Sequence, residues 1–587
     1  MPARHPRGLY PLFFTEMWER FSFYLMLGLL YQYLVDGEKG GLGWTPREAA
    51  SVYGSYIALV YFTPFLGGIL ADRLLGCRKT IVIGGVLMMI GHIVLAFEGV
   101  VALYVALGCL ILGNGFFKPN ISTLLGNLYP PGSPLKDAGF NIFYMGINIG
   151  AFICNFVAAA VRNAYGWHWA FATAGVGMFI GLIIFLANVR LFAEADSAAS
   201  GDGPKESLTP LWVECLAPAV LMGALGFALV NMAGTQGASG AYSLLGFNGP
   251  TFAFLFACIP VVAFYVRLWR GIDDRLERGR VGALLAIFSV VVVFWAIFHQ
   301  NGTALTDWAV ENTDRRPAGP VKFVTEKFSE FAEDAPLSYY DNAGSDTPRP
   351  SRDQLQIVSD ETYEALKKEK KLAPGTVTQK QFDAIYARAD DTTPMLGREQ
   401  KLHLVNAELF QSINPGLVII FTPLLIAFWR SLAQRGMEPS TPGKIGIGLL
   451  LTAGGPVIML LASMATGDGT PNEVKASPWW LFGAYCMLTV GELCLSPMGL
   501  SLVSKMAPAR MRSLMMGGWF LSTAVGNKLS GIFGELYTEW DHKRFYALLI
   551  VCVLAAAGAI FAMLPWLKSE LPAEDSGHQD EQQRAAG

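Results

Sequence analysis

Fourteen apolar stretches, each long enough to cross a bilayer, constrain this chain more than any other feature. A hydrocarbon core of ~30 Å takes about 20 helical residues. Segments of that length run at 9–34, 47–72, 79–98, 100–126, 137–161, 167–192, 210–233, 249–271, 281–305, 406–432, 444–466, 478–505, 512–537 and 544–567. Lipid-exposed backbone must satisfy its own hydrogen bonds, so runs of this length are helical and the expected fold class is an all-α membrane protein. Composition agrees: 16% of residues are charged and 52% hydrophobic, against about 25% charged in a soluble domain.

Lys and Arg in the short connections set the expected orientation. Arg73, Arg78 and Lys79, then Lys136, then Arg267 to Arg280, Arg430 to Lys444 and Lys505 to Arg512 fall on one side. Both termini therefore belong to the cytoplasmic side, and an even number of crossings agrees. The short basic N-terminus runs straight into the first span, with no cleavable signal expected. A net charge of −3 gives no footprint for nucleic acid. The eight cysteines are scattered without CxxC or metal spacing and read as small core residues. No metal or organic cofactor is expected.

Residues 311–405 break the apolar pattern with Asp, Glu, Lys and Pro, and fall on the external side. Asp360 and Thr378 read as caps of two short amphipathic helices, 360–372 and 378–388. The segment reads either as a folded cap able to meet an external ligand or partner, or as a solvated, partly ordered loop. The tail 569–587 is polar and expected to be disordered.

Charges inside spans are costly unless paired or facing a watery cavity, so they mark function. Glu16, Glu19 and Arg20 share one face of the first helix by their spacing of three and four. Lys118 is a lone cation in the fourth span beside Pro119, and Glu492 a lone anion in the span 478–505. Isolated charges in opposite halves suit a midplane site for a zwitterion.

Glu16-x-x-Glu19-Arg20-Phe21-x-Phe23-Tyr24 resembles the first-helix motif of the proton-dependent oligopeptide transporters, within the major facilitator superfamily. Gly67 to Thr80, with Asp72 and Arg73, resembles the superfamily's loop signature. Phe140 to Gly150, Gly115 to Ser122, Phe410 to Pro415, Gly491 to Ser501 and Gly517 to Asn527 resemble further signatures of that family, in order through both halves. The resemblance implies two six-helix bundles, 1–192 and 281–568, with two extra transmembrane helices between them at 210–271. It implies symport of di- and tripeptides with protons, the coupling ion, across a membrane. The fourth-helix form points to a bacterial inner membrane.

By the same resemblance, Arg20 and Lys118 would face a peptide's carboxylate and Glu492 its ammonium. Asn148 and Asn414 would bond its backbone, and Tyr24, Tyr61, Trp295, Ser496, Trp519 and Phe520 would line side-chain pockets. Glu16 and Glu19, with Arg20 and Lys118 as partners, would carry protons, while Asp72 and Arg73 would serve gating.

Three positions depart from the family. Phe23 replaces a tyrosine, Leu27 an arginine, and His299 an acid that pairs with that arginine across the external gate. Losing one partner alone would strand a buried charge, so their joint loss predicts a gate not closed by that salt bridge. His299 is then either a pH-sensitive gate and proton-coupling element or a neutral hydrogen-bonding histidine. The departures also admit a family member that moves a modified amino acid, nitrate or an organic anion. A third reading is a sensor that uses 311–405 as its external module. No nucleophile–base pair, metal cluster or phosphate loop stands out, so an enzyme is not expected.

Overall fold

The computed structural model describes residues 5–37, 40–71, 75–129, 136–196, 212–236, 242–244, 247–368, 373, 375–397, 400–466, 474–508 and 512–570. Asp72 and Arg73, and the tail from 571, lie outside them.

Each apolar stretch is a helix. The first six are α1 (Leu9–Val35), α2 (Pro46–Leu70), α3 (Cys77–Val94), α4 (Val100–Asn127), α5 (Lys136–Tyr165) and α6 (Trp167–Ala187). Next come α7 (Ala217–Ala233), entered through a π-turn at Trp212–Leu216, and α8 (Gly249–Arg270). The ninth is α9 (Arg275–Phe298). Beyond the short elements at 304–386 lie five more, α14 (Ile413–Gln434), α15 (Thr441–Ala465), α16 (Pro478–Met506), α17 (Arg512–Glu539) and α18 (His542–Ser569).

Among the described residues, twelve segments are long and apolar enough to cross a membrane. The charged α1 and α17 are not among them, yet at 27 and 28 residues they would extend about 40 Å. Local chemistry sets several starts. Thr45 and Glu48 form a reciprocal capping box ahead of Pro46 on α2, and Asp274 and Asp541 cap α9 and α18. The seventh of the expected core spans is interrupted. Its helix ends at Phe298, a tight turn covers His299–Gly302, and α10 (Ala304–Glu311) resumes the climb.

Two apolar cores divide the chain. One gathers α1 to α6, with Leu9 through Ala195. The other gathers the C-terminal helices and includes Cys215, Ala219, Val261 and Tyr265 of the α7–α8 pair. In space the inserted pair thus leans on the second half, and the Tyr265 hydroxyl donates to Leu514 O at 3.0 Å. A small antiparallel sheet joins the pair: β1 (Thr235–Gln236), β2 (Tyr242–Leu244) and β3 (Phe247–Asn248). Asn248 donates to Ser51 Oγ of α2 at 2.6 Å.

The halves meet along α2 with α17 and α5 with α14. At the first crossing a Cβ on Gly54 would lie 2.5 Å from Gly531 Cα, so only glycine permits that approach. Arg47, at the start of α2, pairs with Glu539 at the end of α17. The loop into α2 follows α1, and α18 follows α17, so the outer ends of α1 and α18 point to one end of the bundle.

At the other end sits the insertion, and it is folded. It contains α11 (Gly319–Lys327), α12 (Asp360–Lys368), α13 (Gln379–Tyr386) and four short strands. The strands are β4 (Ala332–Asp334), β5 (Gln356–Val358), β6 (Thr376–Thr378) and β7 (His403–Val405). β4 pairs antiparallel with β7, and β5 parallel with β6. Tyr339 and Tyr340 anchor two small cores. Thr378 caps α13 as expected. At α12 the expected cap is corrected: Asp360 is already the first helical residue, and the Ser359 hydroxyl accepts from Thr362 N at 3.2 Å.

Candidate substrate and proton site

Arg20 is the hub of the first-half site. It is 1% exposed. Its Nη2 donates to Glu19 Oε1 at 2.5 Å, its Nε donates to Glu19 Oε2, and Nη2 also reaches Asn114 Oδ1 at 3.0 Å. This two-pronged clamp neutralises the guanidinium and fixes its plane. Glu16 is held more loosely: its Oε1 is 3.4 Å from Arg20 Nε, and its buried Oε2 has no hydrogen-bond partner. The two carboxylates therefore do different jobs. Glu19 locks the arginine, whereas Glu16 keeps an oxygen that a proton could occupy without breaking a bond.

Lys118 lies over the face of Tyr61, with Nζ 4.3 Å from the ring centroid. No carboxylate of the described residues lies within ion-pair distance of it, so the ring supplies its nearest recorded stabilisation. Asn114, one turn before Lys118 on α4, also donates to Val60 O of α2 at 3.0 Å. It ties α1, α2 and α4 around the cluster.

Across the bundle, Glu492 accepts from Asn414 Nδ2 at 3.1 Å, and the same amide reaches Thr489 Oγ1 at 2.9 Å. Tyr24 and Tyr61 stand within electrostatic range of both Arg20 and Glu492, and Tyr144 within range of Glu492. Tyr24, Tyr61, Lys118, Tyr144, Asn414, Glu492, Ser496 and Phe520 are all half-buried, with Tyr24 and Tyr61 at the edge of the first core and Phe520 at the edge of the second. The first half thus contributes the cations Arg20 and Lys118 and the second the anion Glu492, with the hydroxyls of Tyr24 and Tyr61 near enough to feel both Arg20 and Glu492. That arrangement suits a small zwitterion.

The remaining expected residues are placed differently. Asn148 is buried and donates back to Tyr144 O at 3.0 Å. Trp519 is 2% exposed and packs edge-on against Phe288 and over Gly499, where a side chain would overlap its ring. Trp295 is buried too, with its Nε1 unpartnered. His299 sits against Trp295, Phe298 and Tyr61 with Nδ1 3.1 Å from Trp295 O. Leu27 carries no charge, and among the described residues His299 forms no ion pair. Arg78, in the described part of the loop signature, pairs with Asp196 at 2.7 Å, and Asp196 also accepts from Cys77 N.

A family model described as the POT family matches residues 78–329 and 389–550. The chain belongs to the POT family. It is 29% identical over 567 residues to the "Uncharacterized transporter YclF" of Bacillus subtilis (strain 168), covering 96% of this chain and 94% of that one. It is 28% identical over 569 residues to a "Di-/tripeptide transporter" of Lactococcus lactis subsp. lactis (strain IL1403), covering 96% of each. A crystal structure of a peptide transporter POT in complex with sulfate superposes with a TM-score of 0.71 at 28% identity, over 97% of this chain and 96% of the other. A mutant form in complex with alafosfalin superposes at 0.69. This POT protein is accordingly an integral membrane transporter with the two-bundle fold of that family.

Sequence reasoning missed several residues that organise this POT site. Asn114 carries the signal of a polar residue inside an apolar span, four positions before Lys118 and so on the same face. Tyr144 lies within the fifth-helix signature. Outside this site, at the insertion end, Arg162 and Glu408 are likewise invisible as a pair, since 246 positions separate them and only the fold brings them to 3.3 Å.

Proposed function

We propose that this transporter imports di- and tripeptides together with protons by alternating access. The supporting observation is the opposition of charge, Arg20 and Lys118 on the first half and Glu492 on the second, with Tyr24 and Tyr61 near both Arg20 and Glu492. The peptide carboxylate sits toward Lys118 and Arg20, and its ammonium toward Glu492. Asn414 holds Glu492 and offers the peptide backbone a partner, while Ser496 and Phe520 line the wall for its side chains. Retention of both a lysine and a glutamate argues against a simple anion such as nitrate, because an anion site has little use for a buried carboxylate.

Protons enter through Glu16. When Glu16 is neutral, Arg20 stays satisfied by Glu19, and Lys118 is left to the incoming carboxylate. Charge compensation thus passes from the protein to the substrate, which links proton uptake to peptide binding. His299 belongs to the aromatic packing of the gate on this reading. All fourteen long helices cross the membrane, both termini face the cytoplasm, and the insertion faces outward. The membrane is a bacterial inner membrane, in keeping with the relatives' sources.

Uptake of labelled dipeptides into proteoliposomes, with and without an imposed inward proton gradient, tests this reading. A thermal-shift panel of dipeptides against N-acetylated peptides, free amino acids and nitrate separates it from a non-peptide substrate. Binding confined to nitrate or organic anions would overturn it.

A further inference from the structure

At the end of the bundle that bears the insertion, Leu27 and His299 stand where the resemblance implies an arginine–acid pair. Any ion pair that joins the halves at that end must come from other residues. Among the described residues, Arg47 joins the halves through Glu535 and Glu539, and a second, more deeply buried contact centres on Arg162, at the C-terminal end of α5. It is 7% exposed, and its Nη2 is 3.0 Å from Glu333 Oε2 and its Nε 3.3 Å from Glu408 Oε1. Nη1 reaches Gln32 Oε1 at 3.3 Å, and the guanidinium lies over Trp167, 4.9 Å from the ring centroid. The next residue, Asn163, exchanges two amide hydrogen bonds with Asn406 and donates to Ala332 O at 2.8 Å.

The two anions have different owners. Glu408 lies in the turn that leads into α14, in the second half. Glu333 lies on β4 of the insertion. β4 is no loose strap: it pairs with β7, and Arg315 Nη1 holds Glu333 Oε1 at 2.7 Å while bonding Val405 O at 2.9 Å. Arg315 and β7 are the points where the insertion leaves and rejoins the second half. Glu333 is thus mounted on the second half's own frame and aimed at the first.

We propose that the base of the insertion is a working part of the outer gate, with Arg162 as the gate cation held jointly by Glu408 and Glu333. Arg162 replaces, one wall over, the ion pair that Leu27 and His299 cannot make. Opening this end separates α5 from α14 and β4, so Arg162 must release both carboxylates to water before the site faces outward. The distal part of the insertion, with α12 and α13, lies beyond this contact. The inference rests on the alternating access proposed above, but its test does not require a substrate.

Spin labels at Tyr165 and Trp479, which are 71% and 73% exposed at that end of α5 and α16, would report the opening by pulsed dipolar spectroscopy. The protein is reconstituted at full length with its native cysteines replaced. Loss of one charged hydrogen bond shifts a two-state balance by about tenfold or more. E333Q is therefore expected to raise the long-distance population by about that factor, and R162K, which keeps the charge but not the fork, to raise it as well. E361Q removes the same charge from exposed α12 and is expected to leave the distribution unchanged. An E333Q distribution equal to wild type overturns the proposal, even if R162K opens the gate, since closure would then rest on Glu408 alone. Equal shifts in E333Q and E361Q also overturn it, because a diffuse charge effect would then suffice. Failure of dipeptide uptake by the unlabelled wild type would sink the substrate reading and leave these distances untouched.

Discussion

Replacing Glu19 and Glu16 in turn should separate a structural carboxylate from a proton-carrying one. Glu19→Gln removes the partner that takes two N–H groups of Arg20, a residue 1% exposed. Breaking a buried pair from one side costs about 3–5 kcal/mol, since the stranded charge has no water to turn to. Glu16 then stands alone against Arg20 at 3.4 Å. Its gross attraction, 332/(20 × 3.4), is about 5 kcal/mol at an effective dielectric constant of ~20, and desolvation takes back much of that. Glu19→Gln is thus expected to lower Tm in detergent by more than ~5 °C. Glu16→Gln leaves the clamp intact and replaces an oxygen that had no hydrogen bond, so Tm is expected to move by less than ~2 °C. Its effect belongs in transport: gradient-driven uptake is expected to fall by ~100-fold or more while peptide counterflow persists. A Tm loss in Glu16→Gln as large as that in Glu19→Gln, or uptake by Glu16→Gln that still follows the proton gradient, would refute the division of labour.

Three further outcomes follow from the geometry. Glu492→Gln is expected to weaken binding of peptides with a free amino terminus by ~10-fold or more and to spare N-acetylated peptides, as measured by isothermal titration. Gly54→Val would force α2 off α17 at Gly531, so thiol reagents added from the insertion side should gain access to the site while uptake is lost. In the insertion, burial works against the charged form of Asp314, but hydrogen bonds from Arg316 and Tyr339 and the charge of Arg316 outweigh it and hold the carboxyl below its usual range. A depressed folded value means the stabilisation is complete above the unfolded value near ~3.9 and drains as pH falls through the folded one. Limited proteolysis of the insertion should therefore accelerate below about pH 4, and Asp314→Asn should be cleaved readily at neutral pH as well.

The sequence disclosed the helices because lipid imposes one solution on a long apolar run, and Glu16, Arg20, Lys118 and Glu492 because charges are conspicuous there. It could not disclose how those charges divide their roles. Glu16 and Glu19 are chemically identical, and only the fork of Arg20 turning to one of them sets them apart. The departures at Leu27 and His299 were legible, and with them the expectation that no arginine–acid pair joins those positions. Its replacement at Arg162 was not, because Glu333 and Glu408 reach it only through a folded insertion whose short strands and 3₁₀ turns leave little periodic trace. The break at His299 was likewise hidden within a hydrophobic run. The aromatic residues divided too: Tyr24 and Tyr61 stay half-buried near Arg20, whereas Trp519 is buried on Gly499.

The central claim is that one cavity couples a proton to a peptide. Dipeptide uptake into proteoliposomes, recorded together with proton influx by an entrapped pH-sensitive dye, tests it most directly. Peptide added outside, without any imposed gradient, is expected to acidify the lumen in step with its own entry, and Glu16→Gln is expected to abolish the acidification. Peptide entry with no accompanying proton flux would contradict the account.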